Sequence, residues 1–212
     1  MNLPNKITLT RIFLIPVFVV VFFLTVIPYN YFIAAVIFVV ASCTDFIDGH
    51  IARKYHLVTN LGKFLDPIAD KVLVSSALIC MLVRPEVLQV MWQGDWVMIA
   101  SGVCVAVILA RELIVSGFRM VAASAGLVLA ADKVGKVKTT FQDISIALLL
   151  AGANFFGLAA ASQVINAVGL VCLAVATILT IWSGTGYIVK NKHVLSSGDS
   201  GETPKNDQSD AQ

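Results

Sequence analysis

Six apolar stretches, each of about 20 residues or more, limit what this 212-residue chain can fold into. A helix needs about 20 mostly apolar residues to cross a bilayer, and only helices and closed barrels satisfy their backbone hydrogen bonds there. The composition agrees, because 58% of the residues are hydrophobic and 13% are charged, whereas a soluble domain carries about 25% charged residues. We therefore predict an all-α integral membrane protein with six transmembrane helices. Their predicted ranges are Thr8 to Pro28, Tyr31 to Arg53, Gly62 to Val83, Trp96 to Ala123, Val137 to Ala161 and Gln163 to Lys190.

The distribution of basic residues predicts the orientation of these helices. Lys and Arg are retained on the cytoplasmic side of short loops. With six spans, every one of the 15 Lys and Arg residues except Arg84 falls near the face that holds both termini. We expect a multi-pass protein of the cell membrane, with both termini and a polar cavity facing the cytoplasm. A net charge of +2 is too small to indicate nucleic acid as a partner.

One membrane domain is expected over residues 1-192. Residues 193-212 are rich in Ser, Gly, Asp, Asn and Gln, and such a segment cannot bury enough apolar surface to fold alone. We therefore expect it to be a disordered cytoplasmic tail.

Four aspartates lie at the cytoplasmic ends of the second and third predicted helices. Asp45 and Asp48 are about one helical turn apart, as are Asp66 and Asp70, so each pair shares a helix face. The short connection between the two helices lets the pairs converge. Ionisable groups in membrane segments are costly and mark functional sites, and converging carboxylates favour hard divalent cations such as Mg²⁺ or Mn²⁺. Four such ligands fit a two-metal site for phosphoryl transfer.

Small and basic residues beside the aspartates leave room for a phosphate-bearing ligand. Gly49 and Ala52 keep the helix surface low, and Gly62 opens the third helix without a side chain. Arg53 offers a planar fork of donors to a phosphate. Gly and Ala also serve in helix packing, and an isolated aspartate pair can serve as a cap or an ion-pair partner. The eight positions together form the pattern D-x2-D-G-x2-A-R-x8-G-x3-D-x3-D.

This pattern resembles the signature of the CDP-alcohol phosphotransferase family and matches it at every position. The resemblance implies a six-helix membrane enzyme, often homodimeric, that moves a phosphoryl-linked group from a CDP-linked donor to an alcohol and releases CMP. It also implies that Asp45, Asp48, Asp66 and Asp70 hold two divalent cations, with Asp70 as the general base. By the same resemblance, the cytidine diphosphate pocket is lined by Gly49, Ala52, Arg53 and Gly62.

The N-terminal segment resembles the phosphatidylglycerophosphate synthase subgroup of that family. Its residues Asn5, Thr8 and Arg11 are expected, by this resemblance, to face the donor pocket. The alternative is that Asn5 or Thr8 caps the first helix.

Basic residues of the fourth and fifth predicted helices indicate a second anion site. Arg111 and Arg119 are eight residues apart and lie near one helix face, although Arg111 can also form a structural ion pair with Glu112. The run from Lys133 to Gln142 resembles the same subgroup, and lysines at a helix N-terminus attract anions, although they also serve as membrane-surface anchors. We expect an acceptor phosphate to bind at Arg111, Arg119, Lys133, Lys136, Lys138 and Thr139.

The resemblance and the second anion site together predict a reaction. We expect transfer of the phosphatidyl group of CDP-diacylglycerol to sn-glycerol 3-phosphate, giving phosphatidylglycerophosphate and CMP. The alternatives are the same chemistry with an inositol phosphate, serine or phosphatidylglycerol as the acceptor, a divalent-cation transporter, or an inactive scaffold. The expected partners are the two substrates, the lipid bilayer and a second copy of the chain.

Overall fold

The computed structural model describes residues 3–54, 60–124 and 133–190, and seven α-helices account for most of this part of the chain. The side chains of residues 3–6, 45–54, 60–64, 124 and 133 lie outside the description. Six of the helices are long and correspond one by one to the six predicted spans, and a seventh, α4, has four residues. The helices are α1 Leu3–Phe23, α2 Asn30–Lys54, α3 Asn60–Val83, α4 Pro85–Leu88, α5 Asp95–Ser124, α6 Lys133–Gly152 and α7 Ala159–Lys190.

Two predicted boundaries are wrong, because each lies in an apolar turn that hydropathy does not distinguish from helix. The first span was expected to end at Pro28, but α1 ends at Phe23 and the chain turns through Tyr29, whose φ is 58°. The fifth was expected to run to Ala161, but α6 ends at Gly152. There the chain passes through Phe156 with a φ of 50°, and six residues separate the end of α6 from the start of α7.

Two helices are long and apolar enough to cross a membrane, among the residues that the structure describes. They are α5 over Asp95–Ala123 and α7 over Ala159–Lys190. Shorter apolar segments occupy Ile7–Phe23 in α1 and Asn30–Thr44 in α2. In the described part of the chain, helix length and composition therefore identify two candidate membrane spans, fewer than the six predicted.

The bundle carries many apolar side chains on its outside, and some polar and charged side chains are buried within its mainly apolar core. Leu113 and Met120 of α5 are each 73% exposed and Trp182 of α7 is 72% exposed, whereas Arg11 and Lys138 are each 1% exposed. Water would penalise an outer surface of this kind, whereas lipid accepts it and drives charged side chains inward. The distribution is that of a membrane protein.

Aromatic side chains gather at the end of the bundle where α1, α3 and α6 finish. Trp92 and Trp96 contact each other before and at the start of α5, and the Arg84 guanidinium lies over the Phe23 ring. Tyr29 contacts Phe156 across the two turns. Trp and Tyr favour the membrane–water interface, and this end carries an aromatic belt of that composition, whereas Asp66 and Asp70 lie toward the opposite end of α3.

Close packing of α6 on α7 fixes the position of the helix that carries Lys138 and Gln142. A Cβ atom added to Gly169 of α7 would lie 2.9 Å from Leu149 Cγ of α6, so only glycine allows this approach. The Ser145 hydroxyl of α6 donates a hydrogen bond of 2.9 Å to the Gly169 carbonyl. Both contacts leave little freedom for α6 to slide.

Candidate active site

Helix α1 connects the two helices that carry the aspartate signature. The Thr8 hydroxyl donates a hydrogen bond of 2.6 Å to Asp66 Oδ1 of α3, and Arg11 Nε donates one of 3.1 Å to the Ala41 carbonyl of α2. Thr8 and Arg11 are each 1% exposed. Because α1 begins at Leu3, Thr8 lies inside the helix, which excludes the alternative that it caps the helix. Its contact instead holds the Asp66 carboxylate in one orientation.

A small cavity lies between α3, α5 and α6, with a volume of about 40 Å³ and several polar or charged residues in its lining. Asp70 forms part of its wall, one turn after Asp66 on the same helix. Carboxylates are the ligand type that hard divalent cations prefer, so the donor chemistry of Asp70 in this wall, and of Asp66 one turn before it, fits such an ion. The residues lining the cavity are Asp70, Lys71, Val74, Ser75, Leu109, Glu112, Lys138, Thr139 and Gln142.

Glu112 is the centre of a buried charge network beside this cavity. Its Oε1 receives a charge-assisted hydrogen bond from Lys138 Nζ and lies 3.6 Å from Arg111 Nη1. Lys71 Nζ donates to the Ser116 hydroxyl, which in turn donates to the Glu112 carbonyl at 2.5 Å. A buried ammonium is costly unless it is paired, so Glu112 stabilises Lys138 within the bundle.

The two arginines of α5 face α7. Arg111 Nη2 donates a hydrogen bond of 3.1 Å to the Ser183 hydroxyl, and Arg119 Nε donates one of 3.2 Å to the Tyr187 hydroxyl. Arg119 also lies 5.2 Å from the centre of the Tyr187 ring, within the range of a cation–π contact. The predicted shared face of the two arginines is therefore present, and it is directed at α7.

The structure brings only part of the predicted acceptor set to the cavity. Lys138 and Thr139 line it, whereas Arg111 and Arg119 contact α7. Lys136 is exposed, and the side chain of Lys133 lies outside the described residues.

The remaining signature residues are placed by their backbone alone. Helix α2 ends at Lys54 and α3 begins at Asn60, so these positions lie on two helix ends that are close in sequence. No group of three His, Cys, Asp or Glu residues that could hold a metal occurs among the described side chains, a set that omits two of the four aspartates, and the four-aspartate site stays a prediction. The predicted site residues whose side chains are not described are Asn5, Asp45, Asp48, Gly49, Ala52, Arg53 and Gly62.

Some polar contacts at the site were not predicted from the sequence, although the expected alternative of an Arg111–Glu112 ion pair is present at 3.6 Å. Gln142 lines the cavity, Ser116 orients Lys71, and Glu112 pairs mainly with Lys138 rather than with its neighbour Arg111. The Glu112–Lys138 pair could have been predicted from the opposite charges in two different apolar helices, because charged side chains within a membrane usually pair with one another.

Comparison with known proteins assigns the chain to a family. The model of the CDP-alcohol phosphatidyltransferase family matches residues 1–182. A Bacillus subtilis protein named CDP-diacylglycerol--glycerol-3-phosphate 3-phosphatidyltransferase is 41% identical over 92% of this chain and 97% of that protein. Proteins of the same name from Escherichia coli K12 and Rickettsia bellii are 39% and 38% identical, each over 88% of this chain and 93% of their own length. The chain therefore belongs to the CDP-alcohol phosphatidyltransferase family.

Proposed function

We propose that this chain transfers the phosphatidyl group of CDP-diacylglycerol to sn-glycerol 3-phosphate, forming phosphatidylglycerophosphate and CMP. The names of the relatives support both substrates. The observation that carries the proposal is the cavity itself, in which the signature residue Asp70 lies with the basic and hydroxyl side chains of Lys138 and Thr139. This arrangement places a carboxylate beside groups suited to a phosphorylated alcohol.

The donor site lies between the cytoplasmic ends of α2 and α3. Asp45, Asp48, Asp66 and Asp70 hold two divalent cations, Mg²⁺ or Mn²⁺, which when bound supply positive charge to the donor's pyrophosphate and to departing CMP. Thr8 keeps Asp66 oriented for this role through its hydrogen bond. The cytidine diphosphate part of the donor is bound by Asn5, Arg11, Gly49, Ala52, Arg53 and Gly62.

The Asp70 carboxylate accepts the proton of the acceptor's C1 hydroxyl. The resulting oxygen attacks the phosphorus that bears diacylglycerol, and the bond from that phosphorus to the bridging oxygen of CMP breaks. Phosphoryl transfer depends mainly on positioning and charge stabilisation. The residues proposed to hold the acceptor's own phosphate are Arg111, Arg119, Lys133, Lys136, Lys138 and Thr139.

The proposed function includes an arrangement of the protein in the membrane. Six helices cross the plasma membrane, with the active site and both termini in the cytoplasm, and the protein functions as a homodimer. The interfacial aromatic belt at the far end of the bundle and the lone basic residue there, Arg84, support this orientation. Residues 193-212 form a cytoplasmic tail outside the catalytic domain.

An acceptor panel tests the proposal. The purified protein in lipid nanodiscs is given CDP-diacylglycerol and one acceptor at a time, and CMP release is measured with and without a chelator. We expect release with glycerol 3-phosphate, none with serine, an inositol phosphate or phosphatidylglycerol, and loss of activity in chelator. Activity with serine but not with glycerol 3-phosphate would assign a different acceptor, and metal flux without CMP release would indicate a transporter.

A further inference from the structure

A glutamine in the wall of the candidate active-site cavity carries an unpaired amide oxygen. Gln142 is on the buried face of α6, one turn after Lys138, and is 2% exposed. Its Oε1 is buried and accepts no hydrogen bond from any residue that the structure describes. A buried acceptor without a partner costs about 1 to 3 kcal/mol, and groups of this kind call for a specific explanation.

The position of Gln142 indicates what kind of group would satisfy it. It lines the same cavity as Asp70 and Thr139, so its side chain lies beside the place proposed for the acceptor alcohol. An amide oxygen accepts hydrogen bonds, and a fully ionised phosphate has none to donate. A hydroxyl group is therefore the part of a phosphorylated alcohol that matches this oxygen.

We propose that the Gln142 amide oxygen accepts a hydrogen bond from the C2 hydroxyl of the acceptor, the hydroxyl that does not react. Gln142 is then a specificity-determining residue that favours phosphates of vicinal diols over phosphates of simple alcohols. The inference deepens the proposed function and rests on it. A site built to bond a hydroxyl rejects the analogue that lacks it, because its buried polar group is left unpaired.

Two acceptors that differ by that one hydroxyl provide the test. Glycerol 3-phosphate and 3-hydroxypropyl phosphate share a reactive primary hydroxyl and a terminal phosphate, and only the first has a C2 hydroxyl. The value of kcat/KM is measured for each acceptor with the full-length wild type, with Gln142→Met and with Ser145→Ala. Ser145 is fully buried on the same helix and bonds the Gly169 carbonyl, so it is a matched control for loss of a buried polar group. The ratio of the two values does not depend on the fraction of folded enzyme.

The wild type is expected to prefer glycerol 3-phosphate by about 10- to 100-fold in kcat/KM. Gln142→Met should reduce this preference to about 2-fold or less, and Ser145→Ala should retain it. An unchanged preference in Gln142→Met would overturn the inference. If that variant does not fold, the wild-type kcat/KM values alone still test the inference. Equal values for the two acceptors would overturn it. Failure of the wild type to release CMP with glycerol 3-phosphate would instead refute the proposed function.

Discussion

Asp66 is oriented before any ligand binds, because the Thr8 hydroxyl donates to its Oδ1 from the neighbouring helix. A group that fixes a metal-binding carboxylate raises metal affinity without touching the metal. A single hydroxyl group of α1 therefore orients one of the proposed metal ligands.

Replacing Thr8 with Val should weaken divalent-cation binding by about 10-fold or more, because Val keeps the shape of the side chain and removes the donor. Mn²⁺ binding to the purified protein is measured by calorimetry, together with the Mn²⁺ concentration for half-maximal CMP release. Thr177→Val is the matched control, since Thr177 is buried and bonds only the Leu173 carbonyl of its own helix among the contacts seen. Equal Mn²⁺ affinity in the two variants would show that Thr8 does not orient a metal ligand.

The pairing of Glu112 with Lys138 makes a second prediction at the residue scale. Removing the acidic charge, as Glu112→Gln, should destabilise the protein by about 3 kcal/mol, because the Lys138 ammonium is left buried without this partner. Lys138→Gln should cost less, because Glu112 keeps Arg111 at 3.6 Å. The double variant should recover much of that stability, which a double-mutant cycle measures from unfolding in detergent. Activity should not recover in the double variant if Lys138 binds the acceptor phosphate. Additive losses of stability would mean that the two side chains do not interact.

The aspartate signature can be recognised in the sequence, but the pairing of Glu112 with Lys138 cannot. Helix periodicity relates residues three or four apart on one element, whereas Glu112 and Lys138 lie on different helices, 26 residues apart. Gln142 was equally unpredictable, since its buried and unpaired oxygen is a property of the assembled cavity.

Among the helices, the contact between α6 and α7 does most to position the cavity. The Ser145 hydrogen bond to the Gly169 carbonyl and the close approach at Gly169 both hold α6 against α7. Helix α6 carries Lys138 and Gln142. Hydropathy predicts both helices, but the predicted end of α6 at Ala161 is nine residues later than its observed end at Gly152. Hydropathy continues through the Asn154–Leu158 segment, and the turn there depends on positive φ angles at Phe156 and Gly157.

Gly169→Ala should lower the thermal unfolding midpoint by several degrees and reduce activity, because the new Cβ would lie 2.9 Å from Leu149 Cγ. Gly186→Ala on the same helix is the control, since a Cβ there meets nothing within 4 Å. Alanine also favours helix over glycine by about 1 kcal/mol, so the control should be neutral or stabilised. The measurement is thermal unfolding in detergent, and similar midpoints for the two variants would refute the close approach of the helices.

For the whole molecule, the apolar exterior and the charged side chains buried inside it indicate a lipid environment, and the basic residues predict its orientation. Single cysteines at Gln93 and Lys190, in a chain whose four native cysteines are replaced by Ala, lie at opposite ends of the bundle. A membrane-impermeant maleimide should label Gln93→Cys in intact cells and label Lys190→Cys only after permeabilisation. The reverse pattern would invert the proposed orientation.

The proposed transfer of the phosphatidyl group from CDP-diacylglycerol to glycerol 3-phosphate depends on Asp70. It is tested most directly by quantifying CMP and phosphatidylglycerophosphate in the same reaction, for the wild type and for Asp70→Asn. We predict equal amounts of the two products from the wild type and at least about 100-fold slower turnover in the variant, with the variant still folded and inserted in the membrane. Near-normal turnover in Asp70→Asn, or CMP released by the wild type without the lipid product, would contradict the account.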